Sequence, residues 1–156
     1  MRISPEVASF LLGHVLIVLG TRGDDLSPEF GRGFGVRMDP GGEAVEIVVS
    51  RRQWPMTIAN IEANGALAMT ASEPETYRTY QLKGLASSRP ANEADGLLAE
   101  AYAQKLSDHL KALGVAWAFI GYYFVLDDLV VVRLQVTEIY IQTPGPKAGQ
   151  PIGDGA

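Results

Sequence analysis

The chain has 156 residues (16.8 kDa), of which 47% are hydrophobic and 20% charged, the composition of one globular domain with a single sizeable core rather than a disordered chain. A net charge of −5 and a pI near 5.0 argue against a general nucleic-acid or anionic-membrane binder, which needs a basic surface, so any anion site must be local. With no cysteine there is no disulfide, thiolate metal site or thiol nucleophile, and His14 and His109 lack metal-ligand spacing, so no zinc centre is expected.

Ser4, Pro5 and Glu6 read as an N-cap, a helix-starting proline and a first-turn acid, so a short helix should run to about Leu12 and stop at Gly13. The apolar run VASFLLGHVLIVLG is too short to span a membrane, is interrupted by His14 and is followed by no small-residue cleavage site. It is therefore read as that helix and a first strand over 14–21, in a protein expected to be cytoplasmic.

The next stretch, GRGFGVR, places glycine at Gly31, Gly33 and Gly35. The dinucleotide fingerprint requires its glycines at a strand-to-helix turn. Here the turn DPGGE and the β-branched run AVEIVVS follow instead, so strand, turn and strand is the expected order. A period of two puts the three glycines on one nearly bare face, with Arg32, Phe34 and Val36 on the other. Such a face marks close approach either of a flat ligand or of a neighbouring helix or subunit, and the spacing does not choose between them.

Pro55 near its start, Trp54, Ile58 and Ile61 at helical spacing, and Asn64-Gly65 as a stop define a second helix. ALAMTAS and RTYQLKGLASS follow as strands. Asn92 caps a long helix to about Leu113, whose stripe Leu98, Tyr102, Leu106, Leu110 and Leu113 should face a core; His109, in its last turn, should complement the helix dipole. VAWAFIGYYFVL is apolar throughout and favours a short helix, although its periodicity does not decide. The longest strand is expected over 129–142, with a bulge near Thr137-Glu138 where the apolar phase shifts. These elements predict a mainly β (α+β) single domain over 1–149, a six-stranded antiparallel barrel with flanking helices, and a disordered tail over 150–156.

Three basic clusters could meet an anion: Arg32 with Arg37, the pair Arg51-Arg52, and Arg78 with Lys83, which shares a strand face with Thr79 and Gln81. Paired arginines at a strand end just before a helix suit a phosphate, but equally suit a solvated surface.

The order GTRGDDLSPEFGRGFGVR, VVSRRQ, TIANIEANGALAMTASEPETYRTYQLKGLA resembles the FMN-binding split-barrel family, whose best-known member is pyridoxamine 5′-phosphate oxidase. QTPGPKAG resembles the ending of one small branch. The resemblance implies a split β-barrel homodimer with FMN as cofactor. Arg32, Gly33, Phe34 and Gly35 would lie along the flavin ring, with the glycine face as its platform. Arg51 and Arg52 would hold the phosphate beside Val49 and Ser50. Thr79 would contact FMN across the dimer, Gln81 and Lys83 would share its face, and Arg37 would meet an anionic substrate. The C-terminal tryptophan and arginine of true pyridoxamine phosphate oxidases have no counterpart, since no arginine follows Arg133. The resemblance therefore implies a flavin-dependent oxidoreductase of another small molecule, with NAD(P)H a possible donor. The alternatives are a deazaflavin-dependent reductase, a non-catalytic FMN or haem carrier or sensor, and a dimeric scaffold with an empty site.

Overall fold

The computed structural model describes residues 1–153. In chain order the elements are α1 (Pro5–Leu11), β1 (Leu16–Arg22), β2 (Pro28–Gly33), β3 (Val36–Met38), β4 (Ala44–Ser50), α2 (Pro55–Asn64), β5 (Ala66–Ser72), β6 (Thr79–Pro90), α3 (Glu93–Ala112), α4 (Trp117–Gly121) and β7 (Leu129–Ile141). The local signals explain most of these bounds. Ser4 Oγ accepts the Val7 N–H at the start of α1, and Gly65 ends α2 in the left-handed conformation. Asn92 and Asp95 form a capping box on α3.

All strand pairs are antiparallel, in the order β2-β1-β5-β6-β7-β4-β3. The two edge strands are consecutive in the chain. Between them Phe34 donates its N–H to Val48 O (2.7 Å), Gly35 O accepts from Val48 N–H (3.2 Å), and the sheet curls into a half-closed barrel. There are thus seven strands rather than six, because the glycine stretch breaks at Phe34-Gly35, where Gly35 takes φ +115°. The expected bulge is present: Lys83 pairs with Glu138 and Gly84 with Val136, leaving Thr137 over.

The barrel interior is filled by inward residues of alternating strands, among them Ile17, Leu19, Ile47, Val49, Met69, Leu82 and Leu134, and is closed by Ile58 and Ile61 of α2 and Phe10 and Leu11 of α1. A smaller cluster outside the sheet joins Phe34, Val48 and Val131 to Ala99 of α3 and to Phe124. The expected α3 stripe is offset. Asp95, Ala99, Leu106 and Ser107 are its buried residues, Leu98, Tyr102 and Leu110 are half-buried, and Leu113 is exposed. Gln150–152 begins the expected disordered tail, yet pairs with β7: Ile141 N–H donates to Gln150 O (2.9 Å) and Ile152 N–H to Ile139 O (2.8 Å). Residues 154–156 of that tail lie outside the described residues. No helix among the described residues is long and apolar enough to cross a membrane.

Candidate functional site

The three glycines do not form an open platform. A Cβ on Gly31 would lie 2.6 Å from Thr57 Oγ1 of α2, one on Gly33 would lie 2.4 Å from Ile47 Cγ2 and 2.8 Å from Ile17 Cγ2, and one on Gly35 would lie 3.1 Å from Leu98 Cγ. The bare backbone therefore admits α2, the barrel interior and α3. The glycine face expected as an open platform is thus filled by protein at Gly33 and Gly35. Phe34 and Val49 are likewise fully buried, in the outer cluster and the barrel core respectively, and neither offers a surface to a ligand.

Ser50 is buried and committed. Its Oγ donates to Asp127 O (2.7 Å) and accepts the Gln53 N–H (3.2 Å), which fixes the turn from β4 into α2. The next two residues hold their charges against carboxylates. Arg51 binds Glu62 of α2 at 2.6 and 3.3 Å, with Ser88 Oγ on the same carboxylate, and Arg52 binds Asp127. The Arg51 guanidinium, followed by the Ser88 hydroxyl, holds the Glu62 carboxyl below its ordinary range. Arg37 is also engaged. It shares Glu46 and the fully buried Asp95 with Arg89 in a four-residue ion network joining β3, β4, β6 and α3. Two cations thus meet two anions there.

Arg32 differs. Among the described residues it has no carboxylate partner; its guanidinium lies 3.9 Å from the centre of the Tyr123 ring, and its Nε is buried without an acceptor. Tyr123 belongs to the segment 122–128 between α4 and β7, which we call the strap. The same strap supplies Asp127 to Arg52, the Asp127 carbonyl to Ser50 and the Asp128 carbonyl to the Arg51 N–H (2.9 Å). The side chains of Arg32 and Arg52 therefore meet one segment, and the Arg51 N–H bonds the same segment while its guanidinium turns to Glu62.

Thr79, Gln81 and Lys83 lie elsewhere. The Ser50 end of β4 pairs with Leu129 at the start of β7, whereas Tyr80 pairs with Ile141 at its end. Across the outer face, however, Arg32 is paired with Val18, Val18 with Thr70 and Thr70 with Gln81, so Gln81 lies three strand spacings, about 14 Å, from Arg32. Thr79 Oγ1 contacts Ser72 Oγ and Tyr77 O, the Gln81 amide donates to Thr70 Oγ1, and Lys83 sits over the Tyr140 ring at 4.6 Å. On this outer face Val18, Phe30 and Leu85 are exposed around a lane of small residues, Gly20 and Ala68.

The sequence reading missed Tyr123, Asp127, Glu62 and Arg89. The only signal for the first two was YYF within, and DD just after, the apolar stretch whose conformation periodicity left open. His14 and His109, far apart in sequence, stack with ring centres 4.6 Å apart, and burial, with Lys105 and His109 nearby, lowers the proton affinity of His14.

No protein-family model and no curated protein sequence matches the chain. Solved structures do. An F420 reductase aligns with a TM-score of 0.57 at 17% identity, covering 88% of this chain and 98% of its own. A candidate pyridoxamine 5′-phosphate oxidase from Lactobacillus delbrueckii gives 0.56 at 14%, covering 89% and 93%. The haem storage protein HutZ from Vibrio cholerae gives 0.53 at 17%, covering 90% and 95%. With its curled antiparallel sheet and this set of neighbours, the chain has the split-barrel fold of the pyridoxamine 5′-phosphate oxidase-like proteins.

Proposed function

We propose that the chain binds FMN in a homodimer and works as a flavin-dependent oxidoreductase of a small molecule. The observation that carries this reading is that Arg32 and Arg52, next in the chain to Arg51, meet one segment, with Arg32 left without a carboxylate among the described residues and its buried Nε without an acceptor. An anionic group there would satisfy that donor, and arginine forks bind phosphate oxygens in pairs. The fit to FMN is thus through the cations and not through the glycines. FMN supplies hydride transfer when bound. The chain's part is to hold the phosphate at Arg51 and Arg52 and to place Arg32 beside the remaining polar atoms. The named chemistries of the neighbours, a reductase, an oxidase and a haem store, agree with a cofactor-binding fold and leave deazaflavin and haem as alternatives.

A second subunit is part of this reading, because the resemblance assigns both Thr79 and Arg51 to the cofactor and draws Thr79 from the partner. The exposed Val18, Phe30 and Leu85 give such a partner an apolar face. Sedimentation is expected to give a dimer, and a strict monomer that binds FMN tightly would contradict this arrangement.

The activity is tested by mixing the FMN-loaded protein with NADH or NADPH without oxygen. Loss of the oxidised flavin absorbance with one donor is expected, whereas an unchanged spectrum with both would point to a carrier. A Soret band on adding haem, with no flavin uptake, would favour the haem reading.

A further inference from the structure

The strap presents to the candidate arginines the two chemical features of a flavin phosphate: Tyr123 puts an aromatic ring on Arg32, and Asp127 puts an anion on Arg52. We propose that residues 122–128 are an internal occupant of the site, an autoinhibitory contact that an incoming ligand carrying a phosphate and a flat ring must displace. This rests on the functional reading above.

The contacts are of the kind that can be exchanged. Arg52 and Asp127 keep 70% and 58% of their side chains exposed, so their ion pair is weak. The cation–π contact at Arg32 is stronger but leaves the Nε without an acceptor, which an anion could provide. By contrast, backbone carbonyls of Asp127 and Asp128 hold Ser50 and Arg51, so the base of the strap is anchored to β4 while the Tyr123 and Asp127 side chains lie over the arginines. The strap itself is held at its base and packs against Phe34, Val48 and Val131, so what a ligand must exchange are the two contacts at the arginines. Phe124 gives it a second hold, edge-on to Phe34 and Tyr102 at 5.8 and 6.2 Å.

The test is FMN titration of the wild type, Tyr123→Leu, which keeps apolar bulk but removes the ring, and Asp127→Asn, which keeps shape but removes charge. Each variant is expected to bind FMN about two- to tenfold more tightly, the share of affinity that competing contacts of these classes withhold. Hydrogen exchange at the amides of 122–124 should become faster in the wild type when FMN is added. If the wild type binds FMN and both variants bind it equally or less tightly, the strap is a wall of the site and the proposal is wrong, while the functional reading stands. If only the variants bind FMN, the proposal is upheld. If none binds FMN, the functional reading fails, and inorganic phosphate then decides. Its binding to Asp127→Asn but not to the wild type would uphold the internal occupant, and equal or absent binding to both would overturn it.

Discussion

Gly33→Val is expected to lower the melting temperature of the ligand-free protein by roughly 4–12 °C, the effect of about 2–3 kcal/mol of overpacking in a chain of this length. The added carbons would enter the space held by Ile47 Cγ2 and Ile17 Cγ2, each already within 3 Å of the first added atom. Both neighbours are β-branched and stiff about χ1, and both belong to strands that close the barrel, so neither can step aside without moving the sheet. If the glycine face were instead a platform for a flat ligand, the same substitution would leave apo stability unchanged or raise it, since valine favours strands, and would abolish FMN binding. Thermal unfolding of the apo protein beside FMN titration separates these outcomes. Unchanged stability with lost affinity would contradict the packing seen here.

Asp95→Ala is expected to cost about 2–4 kcal/mol. Removing one member of a buried ion network leaves charge uncompensated, and the loss of the capping box adds to it, although the discount is appreciable because Arg37 and Arg89 are themselves about 40% exposed. The carboxyl of Asp95 is fully buried and held well below the usual carboxylate range by Arg89 first, with the Asn92 N–H and Arg37 assisting. A depressed carboxylate stabilises the fold above its unfolded pKa, near 3.9, and that contribution is lost as pH falls toward the folded value. Urea midpoints of the wild type should therefore fall between about pH 4 and pH 2 more steeply than those of Asp95→Asn. Parallel profiles would show that the network does not carry acid stability.

Sequence signals fixed by near neighbours were legible. The bounds of β4 and β5, the Asn64-Gly65 stop of α2 and the Asn92 cap all depend on residues within a few positions. The bulge at Thr137 was legible because a change of apolar phase is itself local. What could not be read is which neighbour fills a bare face. Gly33 pairs with Ile17 across β1, but it meets Ile47 only because the chain crosses from one sheet edge to the other at Phe34-Gly35, a closure that periodicity does not contain. The same limit applied to charge. Arg51 and Arg52 were read as free, yet their carboxylates come from Glu62 and from Asp127, 75 positions away. Arg37 likewise draws its partners from β4 (Glu46) and α3 (Asp95), which local spacing does not announce. Tyr123 was hidden in a run whose apolar character fits strand and helix alike.

Binding of FMN at the Arg51-Arg52 end of the barrel is tested most directly by titrating FMN against the wild type and the Arg51→Ala/Arg52→Ala double variant, read by the flavin absorbance spectrum and by fluorescence quenching. Charge-assisted bonds worth roughly 1.5–3 kcal/mol each predict a loss of at least about tenfold in affinity per residue, with the double variant still folded. Saturable, spectrally shifted FMN binding by the wild type and its loss in the double variant is the expected result. Equal affinity in both proteins, or no flavin uptake by the wild type, would contradict it.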